Sequence, residues 1–455
     1  MTEMMESEAY LQTSGPFQTW PASLLEDLYT LLCRKRCSSY YLHVLIQPQI
    51  RKFEIQPGTV HYAIGFLQER CPKLQCLELT GSVDIMPEFF IPVFKFFPCL
   101  VKINLHGNVI DERSFDTIGS TCHSLAVLNV GNSTITDCAL KFLSRSAEKI
   151  PRCQQLQHIN LLKTRVSNSG VGSFLYLHPL LRDLLYEDTI GALAEMENLG
   201  CGGLFQYRVK VLTCHHNRDI NQEFLTAVEE NPEYEGVEIV DSLLRSSSLY
   251  PIMNSQHLQY LQIGNDNSFL IDFEEGIAPI LTTCGGSLQK LVLDKFRYID
   301  IELIGKTCPK LQNLSLSHMI SWGKVMNICT EQFSNLEELT LTNEYGSHLF
   351  SNIVRQLLFF CSKLQYLHLQ LVDCLDDILW SEILCQNSLS CLISVTLDQC
   401  HSISGDIMED LIDRQNNLQM LNIWSCRFIN NKNKDTIKKT IKRENFDLCF
   451  RYFAL

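Results

Sequence analysis

The sequence predicts an α/β solenoid: a curved stack of short parallel strands lining the inside, helices returning along the outside, and a helical cap at the N-terminal end. Three observations predict it. At 455 residues the chain exceeds the usual size of one compact core. A short apolar pattern recurs along it every 23 to 31 residues in the clean runs. A cysteine precedes many of the copies at a fixed distance.

The repeating unit is an apolar residue, two variable residues, a second apolar residue, one variable residue and a third apolar residue. Its first leucines are Leu74, Leu100, Leu125 and Leu156, then Leu258, Leu288, Leu311, Leu336, Leu364, Leu392 and Leu418, which makes eleven clear copies. The spacings fit the leucine-rich repeat of about 20–29 residues, with slight overruns. Each copy supplies one short strand whose aliphatic side chains point inward. The chain then returns through helical text such as Asp137 to Leu143 and Ser351 to Phe360, where Ile353, Leu357 and Leu358 recur on one face. No copy can bury its apolar face alone, but stacked copies share one core.

Cys71, Cys122, Cys153, Cys308 and Cys361 each sit three residues before a first leucine, and Cys284 sits four before Leu288. Free cysteine is a small apolar residue suited to a tight corner. Metal ligands supplied one per repeat would lie too far apart. The motifs Cys71-Pro-Lys-Leu74, Cys308-Pro-Lys-Leu311 and Ile135-Thr-Asp-Cys-Ala-Leu140 resemble the cysteine-containing subfamily of leucine-rich repeats, over most of residues 50 to 426.

Between residues 179 and 256 the pattern is degenerate. Leu181-Leu184, Val209-Leu212 and Val237-Val240 look like worn copies, and the acidic text Glu229-Glu-Asn-Pro-Glu-Tyr-Glu235 interrupts them. Either the solenoid runs through, or an inserted loop separates two arcs. The interval from Leu156 to Leu258 is 102 residues, close to four repeat lengths, which favours continuity. The expected organisation is residues 1–48 as tail and helical cap or adaptor-docking segment, 49–426 as solenoid, and 427–455 as C-terminal cap.

The N-terminal stretch Trp20 to Leu32 reads as an amphipathic helix. Ser23 and Glu26 have the spacing of a capping box, and Leu24, Leu25, Leu28, Leu31 and Leu32 fall on one side. It either caps the first repeat or docks an adaptor. Pro21-Ala-Ser-Leu-Leu-Glu-Asp-Leu28 is similar to the opening of an F-box, which docks the Skp1 adaptor of cullin ubiquitin ligases. It also resembles the equivalent segment of Zyg-11-type receptors, which dock through elongins. Both families carry such repeats behind the docking module. The resemblance implies adaptor contacts through Pro21, Leu24, Leu25, Leu28, Leu31 and Leu32. Three departures weigh against it. Trp20 stands where a leucine precedes the proline. Leu28 stands where the elongin motif has cysteine. Only about 25 residues separate Pro21 from the strand-like Ile50 to Ile55, room for roughly half an F-box. At the other end, Lys432 to Arg443 is basic, as a localisation patch or as the wet face of a capping helix built on Ile437, Ile441 and Phe446. The closing Phe450 to Leu455 is expected to fold onto the last repeat.

Composition narrows the function. Apolar residues make up 45% and charged residues 20%, as in a folded chain. A net charge of -13 argues against nucleic acid as the main partner. Residues 1–14 lack a signal-peptide core, and no apolar run reaches the ~20 residues needed to span a bilayer. The expectation is therefore a cytoplasmic or nuclear protein, off the membrane, with its 20 cysteines reduced. Asn132-Ser-Thr and Asn313-Leu-Ser are then chance matches to the glycosylation pattern. Phosphate-cradling loops and nucleophile elbows are lacking, as are paired cysteines at zinc spacing. In Cys214-His215-His216, neighbouring strand residues point opposite ways and coordinate one metal poorly. No catalysis, cofactor or metal is expected.

What remains is binding. The variable residues between the leucines line the inner concave surface and suit an extended protein partner. In the first arc these include Glu78, Asn104, Asn129 and Asn160. In the second they include Tyr260, Asn313, His318, Glu338, Tyr366, His368 and Trp424. Tyr and Trp dominate interface energetics, so residues 258 to 426 are the expected partner-binding face, unless Tyr260 and Tyr366 merely pack on neighbouring repeats. Two functions fit: a substrate-recognition subunit of a cullin-type ubiquitin ligase, or a non-ligase scaffold or regulator.

Overall fold

The structure is a computed structural model. It describes every residue except 1–16, 35–42, 56–59, 82–84, 146–149, 197, 199–208, 267, 324–331, 344–348, 350, 414–416, 430, 445–447 and 454–455. The start of the N-terminal tail and part of the expected docking segment therefore lie outside the described residues. The chain divides into two compact units, residues 1–211 and 212–455.

The first unit carries a six-stranded parallel sheet in chain order: β1 (Lys52–Ile55), β2 (Cys76–Leu79), β3 (Lys102–Asn104), β4 (Val127–Asn129), β5 (His158–Asn160) and β6 (Asp183–Leu185). The second sheet also runs in chain order. It comprises β7 (Val211–Cys214), β8 (Gly236–Val240), β9 (Tyr260–Gly264) and β10 (Lys290–Asp294). After the two-residue β11 (Tyr298–Ile299), which belongs to a separate pair, come β12 (Asn313–Ser317), the other short strand β13 (Ser321–Trp322), β14 (Glu338–Thr342), β15 (Tyr366–Gln370), β16 (Ser394–Asp398), β17 (Met420–Trp424) and β18 (Cys449–Phe453). Each unit is a stack of leucine-rich repeats, one strand and one return segment per copy, in an α/β arrangement.

The register explains the repeat. Phe53, Leu77, Ile103, Leu128, Ile159 and Leu184 are side by side in the first sheet, and Leu261, Leu291, Leu314, Leu339, Leu367, Val395 and Leu421 in the second. The second and third aliphatic residues of all eleven copies are buried. So are the first leucines, except the half-buried Leu418. The return helices pack closely: a Cβ on Gly119 would lie 2.7 Å from the Phe142 carbonyl oxygen.

The cysteine corner is structural. Cys71 Sγ donates to Gln47 O at 3.2 Å and Cys122 Sγ to Phe97 O at 3.7 Å, tying each copy to the one before. Burial pushes the thiols of Cys71, Cys122, Cys153 and Cys361 up to about 12, so they stay protonated and unreactive.

In ten copies the residue five places after the first residue of the strand bends the chain out of the sheet with a left-handed backbone. It is Gly81 and Gly107 in two copies. Elsewhere it is Asn132, Lys163, Asp241, Lys295, His318, Leu371, Gln399 or Ser425, with φ between 51° and 57°. Each non-glycine residue bears a cost of about 1 kcal/mol, which the surrounding stack imposes.

Residues 179–256 carry three further strands. β6 closes the first sheet, while β7 and β8 open the second. The acidic text is the end of the return helix Asn221–Glu230 and the turn into β8. The closing segment forms β18, in register with β17. No described helix is long and apolar enough to cross a membrane.

Candidate functional site

In a five-residue strand the second and fourth side chains enter the core, so the first, third and fifth face away from it. In the second sheet this gives three continuous rows. The first row runs Gly236, Tyr260, Lys290, Asn313, Glu338, Tyr366, Ser394, Met420 and Cys449. Four of the residues singled out from the sequence, Tyr260, Asn313, Glu338 and Tyr366, therefore share one row. His368 stands in the third-position row, between Thr340 and Thr396. Trp424 stands in the fifth-position row, between Asp398 and Phe453. His318 lies just beyond that row, at the left-handed bend.

The two tyrosines differ. The Tyr260 hydroxyl donates to Glu238 at 3.1 Å, and Lys290 Nζ lies 4.8 Å above its ring. Burial, reinforced by the Glu238 charge, pushes the Tyr260 phenol well up. Burial would also raise the Glu238 carboxyl. Its hydrogen bonds to His215 and Tyr260, with the Lys290 charge, outweigh burial and hold it below the usual range. Tyr260 is thus tied into its neighbours. Tyr366 is 45% exposed and available to a partner.

Around them the face is polar. Asn313 donates to Glu338. His318 Nδ1 lies 2.6 Å from Asp294 Oδ1, Gln370 donates to Asp398 at 3.0 Å, and Asn422 donates to Thr396 at 3.0 Å. Burial lowers the His368 pKa against the opposing Asp398 charge, keeping the imidazole neutral. Beside them, Phe453 is 62% exposed and the Trp424 indole Nε1 makes no hydrogen bond. Sequence reasoning passed over Lys290, Asp294, Asp398 and Phe453. The same odd-position rule, applied to every copy, names the first three.

In the first sheet Asn104, Asn129 and Asn160 stand in register, but their side chains are already engaged. Each Oδ1 accepts the backbone N–H two residues on: His106 at 3.2 Å, Gly131 at 3.1 Å and Leu162 at 3.0 Å. Glu78 accepts from Lys102 at 3.0 Å.

The N-terminal helix spans Ala22–Arg34. Leu25 is fully buried, and Tyr29 packs on Phe53 of β1 with ring centroids 4.3 Å apart. Ser23 lies inside this helix rather than ahead of it. Glu26 makes no capping box, because its carboxylate accepts the backbone N–H groups of Arg51 at 3.0 Å and Lys52 at 2.9 Å, entering β1. On the opposite side Leu24 and Leu31 are 48% and 50% exposed, with Leu28 half-buried between them. Spacings of four and three residues align these three in one outward row. Pro21 is exposed and Leu32 half-buried. Six residues proposed as one docking set therefore split, with Leu25 facing inward.

Cys214 is buried, while His215 Nε2 lies 2.9 Å from Glu238 Oε1, so the Cys-His-His run is divided by strand alternation. Among the described residues no three His, Cys, Asp or Glu are grouped to hold a metal ion.

No family model matches the chain, and no curated protein does. Solved structures do. A leucine-rich-repeat protein of Leptospira interrogans is 16% identical, over 90% of this chain and 91% of that one, with a TM-score of 0.42. An internalin of Listeria monocytogenes is 18% identical over 86% and 89%, at 0.40. A chain of the yeast Rad7 and Elc1 complex is 14% identical over 90% and 85%, at 0.47. The strand register, not these distant likenesses, establishes the fold.

Proposed function

We propose that this chain is a protein-recognition subunit: the odd-position rows of β9 to β17 grip a protein partner, and the Ala22–Arg34 helix docks an adaptor of the Skp1 or elongin kind. It would then serve as the substrate receptor of a cullin-type ubiquitin ligase. The observation that supports the adaptor is the outward row of Leu24, Leu28 and Leu31 on a helix already anchored from behind by Leu25 and Tyr29. Exposed leucines in a row cost solubility unless a partner covers them. The partner face is supported by Tyr366 and Trp424, aromatic anchors set among polar residues.

The test is direct binding of the full chain to purified Skp1 and to the elongin pair. Capture by one of them, lost in Leu24→Asp with Leu31→Asp but retained in Tyr366→Ala, supports the reading. Binding to neither ends it.

A second reading is favoured by Glu26, which seals the first backbone N–H groups of the sheet as a cap would. There the helix serves only the first repeat, and the chain is a non-ligase scaffold. Leu24→Asp with Leu31→Asp would then leave every partner bound.

A further inference from the structure

The return segment after β8 is not an α-helix but a 3-10 helix, Ser246–Asn254, with Pro251 inside it. Three residues per turn place Ser247, Tyr250 and Met253 on one side. They face Leu225, Val228 and Glu229 of the preceding return helix across an open groove of about 590 Å³. The size is that of ligand-binding clefts, and the groove belongs to the return segments rather than to the strand face described above. A further feature distinguishes it from a packing defect, and it is charge. Exposed Glu229 lines the groove in the last turn of its helix, where the macrodipole is already negative; a cation is the favoured neighbour there.

We propose that this groove binds an extended peptide segment of a partner protein, in which an apolar residue sits beside Lys or Arg. The apolar residue packs between Leu225, Val228 and Met253, and the basic residue meets Glu229. This site is independent of the adaptor and of the strand face.

A random peptide library displayed on phage, selected against the full chain, tests it. The proposal expects enriched peptides with Lys or Arg next to an apolar residue. Their synthetic versions should bind at least tenfold more weakly to Glu229→Lys and to Tyr250→Ala, and unchanged to Tyr366→Ala. Glu229→Lys alters an exposed side chain, and its melting temperature should match that of the unaltered chain. No enrichment, enrichment of peptides without basic residues, or binding that Tyr366→Ala removes and Glu229→Lys does not would each overturn it.

Discussion

The two sheets are built from one repeat but end their strands differently. β3, β4 and β5 stop after three residues, whereas β8, β9, β10, β12 and β14 to β18 run for five. The core positions match, so the core does not decide this. For β3, β4 and β5 the third strand position does. In the first sheet it is Asn104, Asn129 and Asn160, whose side chains take the N–H of the fifth residue. A short amide competes with the ladder for that hydrogen and turns the chain early. In the second sheet the same position holds Val292, Ser315, Thr340, His368 or Thr396, and the strand continues; it also continues past Asn422 of β17, whose amide donates across to Thr396. The longer strand adds a fifth-position row that includes Asp294, Asp398, Trp424 and Phe453. In β3, β4 and β5 an asparagine amide folded back onto its own strand thus goes with a closed face, while β6 is equally short with Leu185 at that position.

The largest effect should fall equally on both sheets. Leu128→Ala and Leu339→Ala each remove a fully buried ladder residue, and each should cost about 3 kcal/mol by chemical denaturation. A cost in one sheet alone would break the shared-core part of the comparison. Next, Tyr366→Ala and Trp424→Ala should weaken partner binding by about 2 kcal/mol, ~30-fold, with little change in stability. The same measurement on Asn160→Ala should show no loss of binding. If Asn160→Ala weakens binding as much, the first face is not closed. Smaller again, Asn129→Ala should lower stability by about 1 kcal/mol through its lost turn hydrogen bond, while His368→Ala, at the same repeat position, should cost less.

The smallest effect concerns pH. Burial holds both His178, stacked 4.0 Å from Phe174, and His368 below the usual histidine pKa. As pH falls through about 6.5 the unfolded chain takes up protons that the folded chain does not. Stability is therefore full above that range and declines as pH drops through it. Melting temperatures between pH 7.5 and 5.5 should fall, and His178→Gln with His368→Gln should flatten the decline. An unchanged slope in the double variant would contradict it.

The aliphatic ladder was legible in the sequence because a period of two within the strand and about 26 between copies leaves no other use for those leucines. The corner cysteines were legible for the same reason. The left-handed bend was not: Lys295, Leu371 and Gln399 adopt it without any local preference, since the stack imposes it. Ser23 and Glu26 had capping spacing, but the edge of β1 offered Glu26 two better donors. Tyr260 and Tyr366 look alike in the sequence. Only the register, which brings Glu238 and Lys290 against the first of them, tells them apart. The 3-10 return segment was signalled only by Pro251.

Amide hydrogen exchange at single-residue resolution, comparing the unaltered chain with Asn129→Ala and His368→Ala, tests the closing role of asparagine most directly. The account predicts that the Gly131 amide exchanges at least tenfold faster in Asn129→Ala, while the Gln370 amide keeps its protection in His368→Ala. Equal protection of Gly131 with and without the Asn129 side chain would contradict it.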